Sequence, residues 1–156
     1  MNILITGGLG HIGSHFIDSI KKVKKIDKVY VIDNNSNNRI NSLFRFNKKK
    51  IKLIFEDLCN ANCFKKVNHK IDIVLHLASI TNAEASVKEK KRVYKNNFGA
   101  FKNIVNFSIK NKSKFIHISS TSVYGSQDKI IGEDCKELKP QSPYATTKLK
   151  EERLVC

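Results

Sequence analysis

Met1-Asn-Ile-Leu-Ile-Thr-Gly-Gly-Leu-Gly-His-Ile-Gly13 decides how the rest of the chain is read. Ile3 to Ile5 is an apolar run of strand length. Thr6 follows, then Gly7, Gly8, Gly10 and Gly13, and an apolar-periodic segment starts at Ile12 and continues through Phe16, Ile17 and Ile20, as far as about Lys22. The order is strand, glycine turn, helix start. Glycines let a backbone turn tightly and approach a ligand. A helix N-terminus offers unpaired N–H groups with a partial positive charge, so the stretch suits a pyrophosphate. Glycines also close ordinary turns, so the reading needs support from the remaining chain.

That support begins with alternation. Val29-Tyr-Val-Ile-Asp33 is a second strand ending in an acid. Residues 34–50 are rich in Asn, Ser and Lys and read as a loop holding a short helix, with Leu43, Phe44 and Phe46 as apolar anchors. Ile51 to Phe55 is a third strand, and a polar helix is expected from Ala61 to Asn68. Ile71 to Ala78 is a fourth strand, followed by a loop or short helix to about Arg92. Asn96 to Lys110 carries Phe98, Phe101, Ile104, Val105 and Ile109 at helical spacing, and Phe115 to Ser119 is a fifth strand. A polar connection runs from Ser120 to Ser142, and Pro143 suits the first turn of a last helix, Tyr144 to Cys156. Strands alternating with helices predict an α/β fold, a doubly wound parallel sheet of about five strands within a single domain over 1–156.

Composition narrows the function classes. Of 156 residues 40% are apolar, enough to build a core. No apolar run approaches the ~18 residues of a transmembrane helix, so no membrane role is expected. Met1 leads directly into the first strand, so a signal peptide is not expected and the chain reads as cytoplasmic. Cys59, Cys63, Cys135 and Cys156 are then most simply reduced thiols. Cys59 and Cys63 have no second pair to complete a metal site, and none is expected. The net charge of +15 invites a nucleic-acid reading. Lysine outnumbers arginine 25 to 4 and is spread over the surface segments, apart from concentrations at Lys21–Lys28 and Lys48–Lys52. Arginine is the better reader of phosphates and bases, and no aromatic stacking motif stands out. A solvated lysine surface, helpful for attracting a small anion, is the simpler account.

Three further stations carry chemistry. Asp33 ends the second strand twenty residues after Gly13. In a dinucleotide fold such an acid accepts hydrogen bonds from the adenosine ribose, and it would repel a 2′-phosphate, favouring NAD over NADP. Asp57 and Leu58 end the third strand, where an adenine ring would lie; Asp57 also reads as the N-cap of the next segment. Tyr144 and Lys148 are four apart and share a helix face. A tyrosine hydroxyl, with an ordinary pKa of about 10, is a poor base at neutral pH. A neighbouring ammonium favours the phenolate. Ser120, in Ser119-Ser-Thr-Ser-Val-Tyr-Gly125, follows the fifth strand, at the strand end where open α/β sheets bind ligands. It is placed to hydrogen-bond a substrate hydroxyl.

Together these stations resemble a family. Thr6 to Gly13, Asp33, Asp57-Leu58, His76-Leu-Ala78, Asn96, Ser119 to Gly125 and Pro140-Gln-Ser-Pro-Tyr-Ala-Thr-Thr-Lys148 follow the order and approximate spacing of the extended short-chain dehydrogenase/reductases. The closer resemblance is to the NAD-dependent sugar-nucleotide epimerase/dehydratase group, and within it to the UDP-glucose 4-epimerases. The resemblance implies a Rossmann-type sheet, NAD as cofactor and a nucleotide-sugar substrate. It implies Ser120 as the catalytic hydroxyl, Tyr144 as the base and Lys148 as its partner, with Tyr144 and Lys148 also contacting the cofactor. The cofactor set it implies further includes Gly7, Gly10, His11, Ile12, Gly13, Asp33, Asn34, Asp57, Leu58, Leu77, Ala78, Ser79 and Asn96. Dehydratases of the group carry an Asp-Glu pair after the catalytic hydroxyl, where this chain has Thr121 and Ser122, so epimerisation is favoured. Thr81 departs from the epimerases, which carry a cofactor-contacting lysine there. Family dimers pair through the two long helices, which makes a homodimer an expectation, although the apolar positions of the first helix would serve a core equally well. Family members run to about twice this length, so the far edge of the sheet and the substrate domain are expected to be absent. The alternatives are a truncated NAD-binding fragment without activity, or another reductase or dehydratase of the same family.

Overall fold

The computed structural model describes residues 1–20, 22–39, 49–82 and 87–155. The anchors Leu43, Phe44 and Phe46, and Cys156, lie outside the described residues. The chain divides into two compact units, Met1–Ser79 with Ala100–Ile118, and Ile80–Gly99 with Ser119–Cys156.

The first unit is built on a five-stranded parallel sheet. Its strands are β1 (Asn2–Thr6), β2 (Lys28–Asp33), β3 (Ile51–Phe55), β4 (Ile73–His76) and β5 (Lys114–His117), in the order β3-β2-β1-β4-β5. The doubly wound sheet expected from the alternation is observed. β1 lies at the centre, with Leu4 opposite Tyr30 on one side and Val74 on the other. Ile3, Leu4, Ile5 and Thr6 are all buried. A strand covered on both faces reads as an unbroken apolar run rather than an alternating one.

Side chains still divide by strand periodicity. Leu4, Tyr30, Ile32, Ile54 and Val74 face Ala100 and Ile104 of α3 (Ala100–Asn111). Ile3, Ile5, Val29, Val31, Ile51 and Leu75 face Ile17 of α1 (His11–Ile20). Among the described residues, α1 covers one face, and α3 with the segment around Leu58 and Cys63 covers the other. Each Ile or Leu so buried contributes about 1.5–3 kcal/mol. Phe101 and Ile104, compatible beforehand with a dimer face or a core, are fully buried, while Ile109 is 67% exposed.

Two helices differ from expectation. The segment after β3 is a 3-10 helix, Ala61–Lys66, rather than an α-helix to Asn68. It is short, and Asn60, Asn62 and Asn68 in and beside it are weak helix formers. Its only buried residue is Cys63, and Val67 leaves with extended backbone. The long helix expected over Asn96–Lys110 is broken into a π-type turn, Lys95–Gly99, and α3.

The second unit contains α2 (Lys90–Tyr94), that π-type turn, a 3-10 turn at Thr121–Val123 and α4 (Pro143–Val155). α4 packs against all three. Pro143 takes the first helical position, as expected, and Ser142 caps the helix: its Oγ accepts from the Ala145 N–H at 3.0 Å. Among the described residues no helix is long and apolar enough to cross a membrane.

Candidate functional site

In the first unit, the sheet order reverses between β1 and β4. β2 and β3 extend outward from β1 on one side, and β4 and β5 on the other. Ligands of open α/β sheets bind outside the carboxyl ends of strands at such a switch point. Here those ends are joined tightly. Thr6 Oγ1 and His76 Nδ1 are 2.7 Å apart, and the Leu77 N–H donates to the Thr6 carbonyl at 3.1 Å. Gly7 then turns with φ +68°, and a Cβ on it would lie 2.6 Å from the Ala78 nitrogen. A side chain cannot be placed there without moving backbone. Gly13, in the first turn of α1, has the same constraint, since its Cβ would lie 2.6 Å from both the Gly7 oxygen and the Gly8 Cα. The helix therefore begins directly on the glycine turn. The first turn of α1 carries no acid, so nothing there opposes an anion.

Asp33 is brought to this turn. Its Oδ2 accepts from the Leu9 N–H at 3.0 Å and its Oδ1 from the Asn35 N–H at 2.8 Å. Each carboxylate oxygen has a second lone pair, so the fixed carboxylate can still accept from ribose hydroxyls. His11 and Ile12 open α1 with exposed side chains, and Asn34 follows Asp33. Leu77 and Ala78 follow β4 and pack on the two opposite core clusters. The Ser79 hydroxyl is buried with no hydrogen-bond partner among the described residues. A glycine cradle, a fixed acid and an unmatched buried hydroxyl fit a dinucleotide.

Asp57 behaves differently from the N-cap reading. Its Oδ1 accepts from the Cys59 N–H at 2.8 Å, and the cap of the 3-10 helix is Asn60. Leu58 is in the core. The turn carrying both is tied to α3 by Asn103, whose Nδ2 donates to the Leu58 and Cys59 carbonyls at 2.8 and 3.1 Å. Burial, with the charges of Glu56 and Asp57, pushes the Cys63 thiol from 9.0 up to about 12, which makes it an inert core thiol. Among the described residues no group of three or more His, Cys, Asp or Glu could hold a metal ion.

The second unit holds Ser120, Tyr144 and Lys148. Ser120 caps the 3-10 turn with extended backbone, its Oγ accepting from the Ser122 N–H at 3.2 Å and lying 2.8 Å from Ser122 Oγ. That turn packs on α4, which carries Tyr144, half-buried, and Lys148, buried. Ser119 Oγ donates to Glu152 Oε1, a further tie between the serine segment and α4.

Of the neighbouring asparagines, Asn96 is half-buried and Asn97 is 1% exposed. The Asn97 side chain accepts from the Ile80 N–H at 2.9 Å and donates to the Ile80 carbonyl at 3.1 Å, so it fastens the segment after Ser79 as a strand partner would. The family resemblance implies Asn96. The available signal was the Asn-Asn pair itself, and only the π-type turn decides which of the two points inward.

Comparison with known proteins agrees with this architecture. A family model described as NAD dependent epimerase/dehydratase family matches residues 3–156. A UDP-glucose 4-epimerase of Yersinia enterocolitica is 32% identical over 99% of this chain and 48% of its own length. A dTDP-D-glucose 4,6-dehydratase of Dictyostelium discoideum is 34% identical over 98% of this chain and 39% of its own. The structure of a UDP-N-acetylglucosamine 4-epimerase from Methanobrevibacter ruminantium M1, in complex with UDP-N-acetylmuramic acid, superposes with TM-score 0.87 at 34% identity, covering 99% of this chain and 49% of that one. This chain spans between 39% and 49% of the length of these relatives. By the match over nearly all of its residues, the chain belongs to the NAD-dependent epimerase/dehydratase family.

Proposed function

We propose that this chain carries the cofactor and proton-transfer half of an NAD-dependent sugar-nucleotide epimerase acting at a sugar C4 hydroxyl. The observation that carries the reading is the glycine turn at the β1–β4 switch point with Asp33 fixed against it. The turn and the start of α1 would hold the pyrophosphate, and Asp33 the adenosine ribose. Ser79, Asn34 and the Asp57-Leu58 turn belong to the same binding set. NAD, when bound, supplies a reversible acceptor for the C4 hydride, which allows its return to the opposite face of the sugar. Tyr144 accepts the C4 hydroxyl proton, Ser120 hydrogen-bonds that oxygen, and the Lys148 ammonium supports the phenolate electrostatically. Thr121 and Ser122 cannot move protons as a carboxylate pair does, which favours epimerisation over the dehydration named for one relative.

The test is incubation of the purified chain with NAD and UDP-galactose, following UDP-glucose. Turnover is expected to fall by at least about a hundredfold in Tyr144→Phe, with NAD affinity by calorimetry nearly unchanged. A Phe variant with native turnover would exclude Tyr144 as the base. A second reading is favoured by the half-length match: an NAD-binding chain that needs a nucleotide-sugar module to turn over. NAD binding without any UDP-glucose formation supports that one. The homodimer expected from the resemblance is part of the first reading, and sedimentation at micromolar concentration checks it.

A further inference from the structure

The mechanism uses Lys148 but assigns nothing to Glu151, one helical turn further along α4. Glu151 Oε2 lies 2.9 Å from Lys148 Nζ, and the two side chains are only 1% and 6% exposed. Glutamate and lysine are almost never buried this completely unless paired. An exposed i,i+3 pair would contribute little; this one is closed off from solvent, where each charge depends on the other.

We propose that Glu151 is a positioning residue, whose ionised carboxylate helps hold the buried Lys148 ammonium in a fixed place on α4, a hold that weakens when the carboxyl takes up a proton. The inference rests on the reading of Lys148 as the partner of Tyr144. On α2, Lys90, Lys91 and Arg92 are exposed, with Arg92 paired to Glu89 at 2.6 Å. Tyr94 lies under Lys150 of α4, 4.7 Å from its Nζ. Lys95 in the π-type turn is exposed, and Thr121–Val123 carries no charge. On α4 itself, Glu152 bonds Ser119 and Arg153 is exposed. Burial pushes the Glu151 carboxyl above its ordinary value, with Lys148 pulling it back. Protonation, and the weaker hold on Lys148, then occurs at a higher pH than for a solvated glutamate.

Two measurements test this. Carboxyl-13C NMR of glutamate-labelled chain follows Glu151 directly. In Lys148→Met its midpoint is expected to rise by about one unit or more, because the ammonium that lowers it is gone; an unchanged midpoint overturns the inference. In turnover assays, Glu151→Gln mimics the protonated acid. Its kcat/KM at neutral pH is expected to be at least about tenfold below native, with the acid limb of the pH profile lost and partly regained in Glu151→Asp. A Gln variant with the native rate and native acid limb also overturns it. A native chain without turnover sinks the functional reading alone, and the NMR titration then decides the role of Glu151. Should Glu151→Gln not fold, the same titration in Lys148→Met decides it.

Discussion

At Gly7 two constraints act on the same atom. The backbone sits at φ +68°, a region that disfavours any residue with a Cβ, and that Cβ would overlap the Ala78 backbone. Gly7→Ala is therefore expected to destabilise the chain by at least about 2 kcal/mol and to weaken NAD binding together with stability, as read by denaturant melts and calorimetry. Cys63 gives a separate check at this scale. With its thiol pushed up to about 12 by burial, it is expected to resist iodoacetamide at pH 8 in the native chain and to react after unfolding. Half-buried Cys135 should alkylate in both states, and mass spectrometry of peptides distinguishes them. Rapid native labelling of Cys63 would mean that the 3-10 segment opens readily.

At the scale of elements, α4 carries most of the candidate chemistry and depends on its first turn. Ser142 supplies the cap, and Thr147 Oγ1 bonds the Pro143 carbonyl at 2.7 Å. Ser142→Ala is expected to cost about 0.5–2 kcal/mol in a urea melt and to lower turnover more than NAD affinity, since Tyr144 lies two residues into the helix while the glycine turn belongs to the other unit. An equal loss of both would show that the helix end serves stability alone. The π-type turn Lys95–Gly99 acts in a similar way on Asn97. The extra residue in the turn rotates the helix face, and Asn97 rather than Asn96 reaches Ile80. Helical spacing in the sequence assumes a constant 3.6 residues per turn, so a local change of pitch is invisible to it.

At the scale of the whole molecule, the charge of +15 is carried by lysines, most of which, among the described residues, are exposed, with Lys148 a buried exception. Dispersed lysines raise attraction for small anions without forming a duplex-reading surface. A fluorescence titration with 20-base-pair DNA is expected to show no binding at about 150 mM salt, while NAD binding persists with a modest decline. Tight DNA binding at that salt would overturn the reading of the surface as merely solvated.

Much of this was legible from residue order. The five strands appear in place because short apolar runs between turn signals have few other ways to be buried, and the glycine turn, Asp33, Ser120, Tyr144 and Lys148 stand out because their chemistry constrains residue type at each position. The 3-10 form of Ala61–Lys66, the break at Lys95–Gly99, the cap at Asn60 rather than Asp57, and the choice of Asn97 were not legible. Each depends on small differences in local hydrogen bonding that packing settles. Glu151 belongs with them. In the sequence it is one more charge in a Lys-Glu-Glu-Arg run, normally a solvated face. Only the tertiary structure, by burying it against Lys148 at 2.9 Å, turns that charge into a group whose state matters. Pattern along the chain determined the sheet and the places of the candidate site residues along it, because burial of apolar strands is a property of order and spacing. Packing decided which polar side chains lose water, and that depends on neighbours far away in sequence.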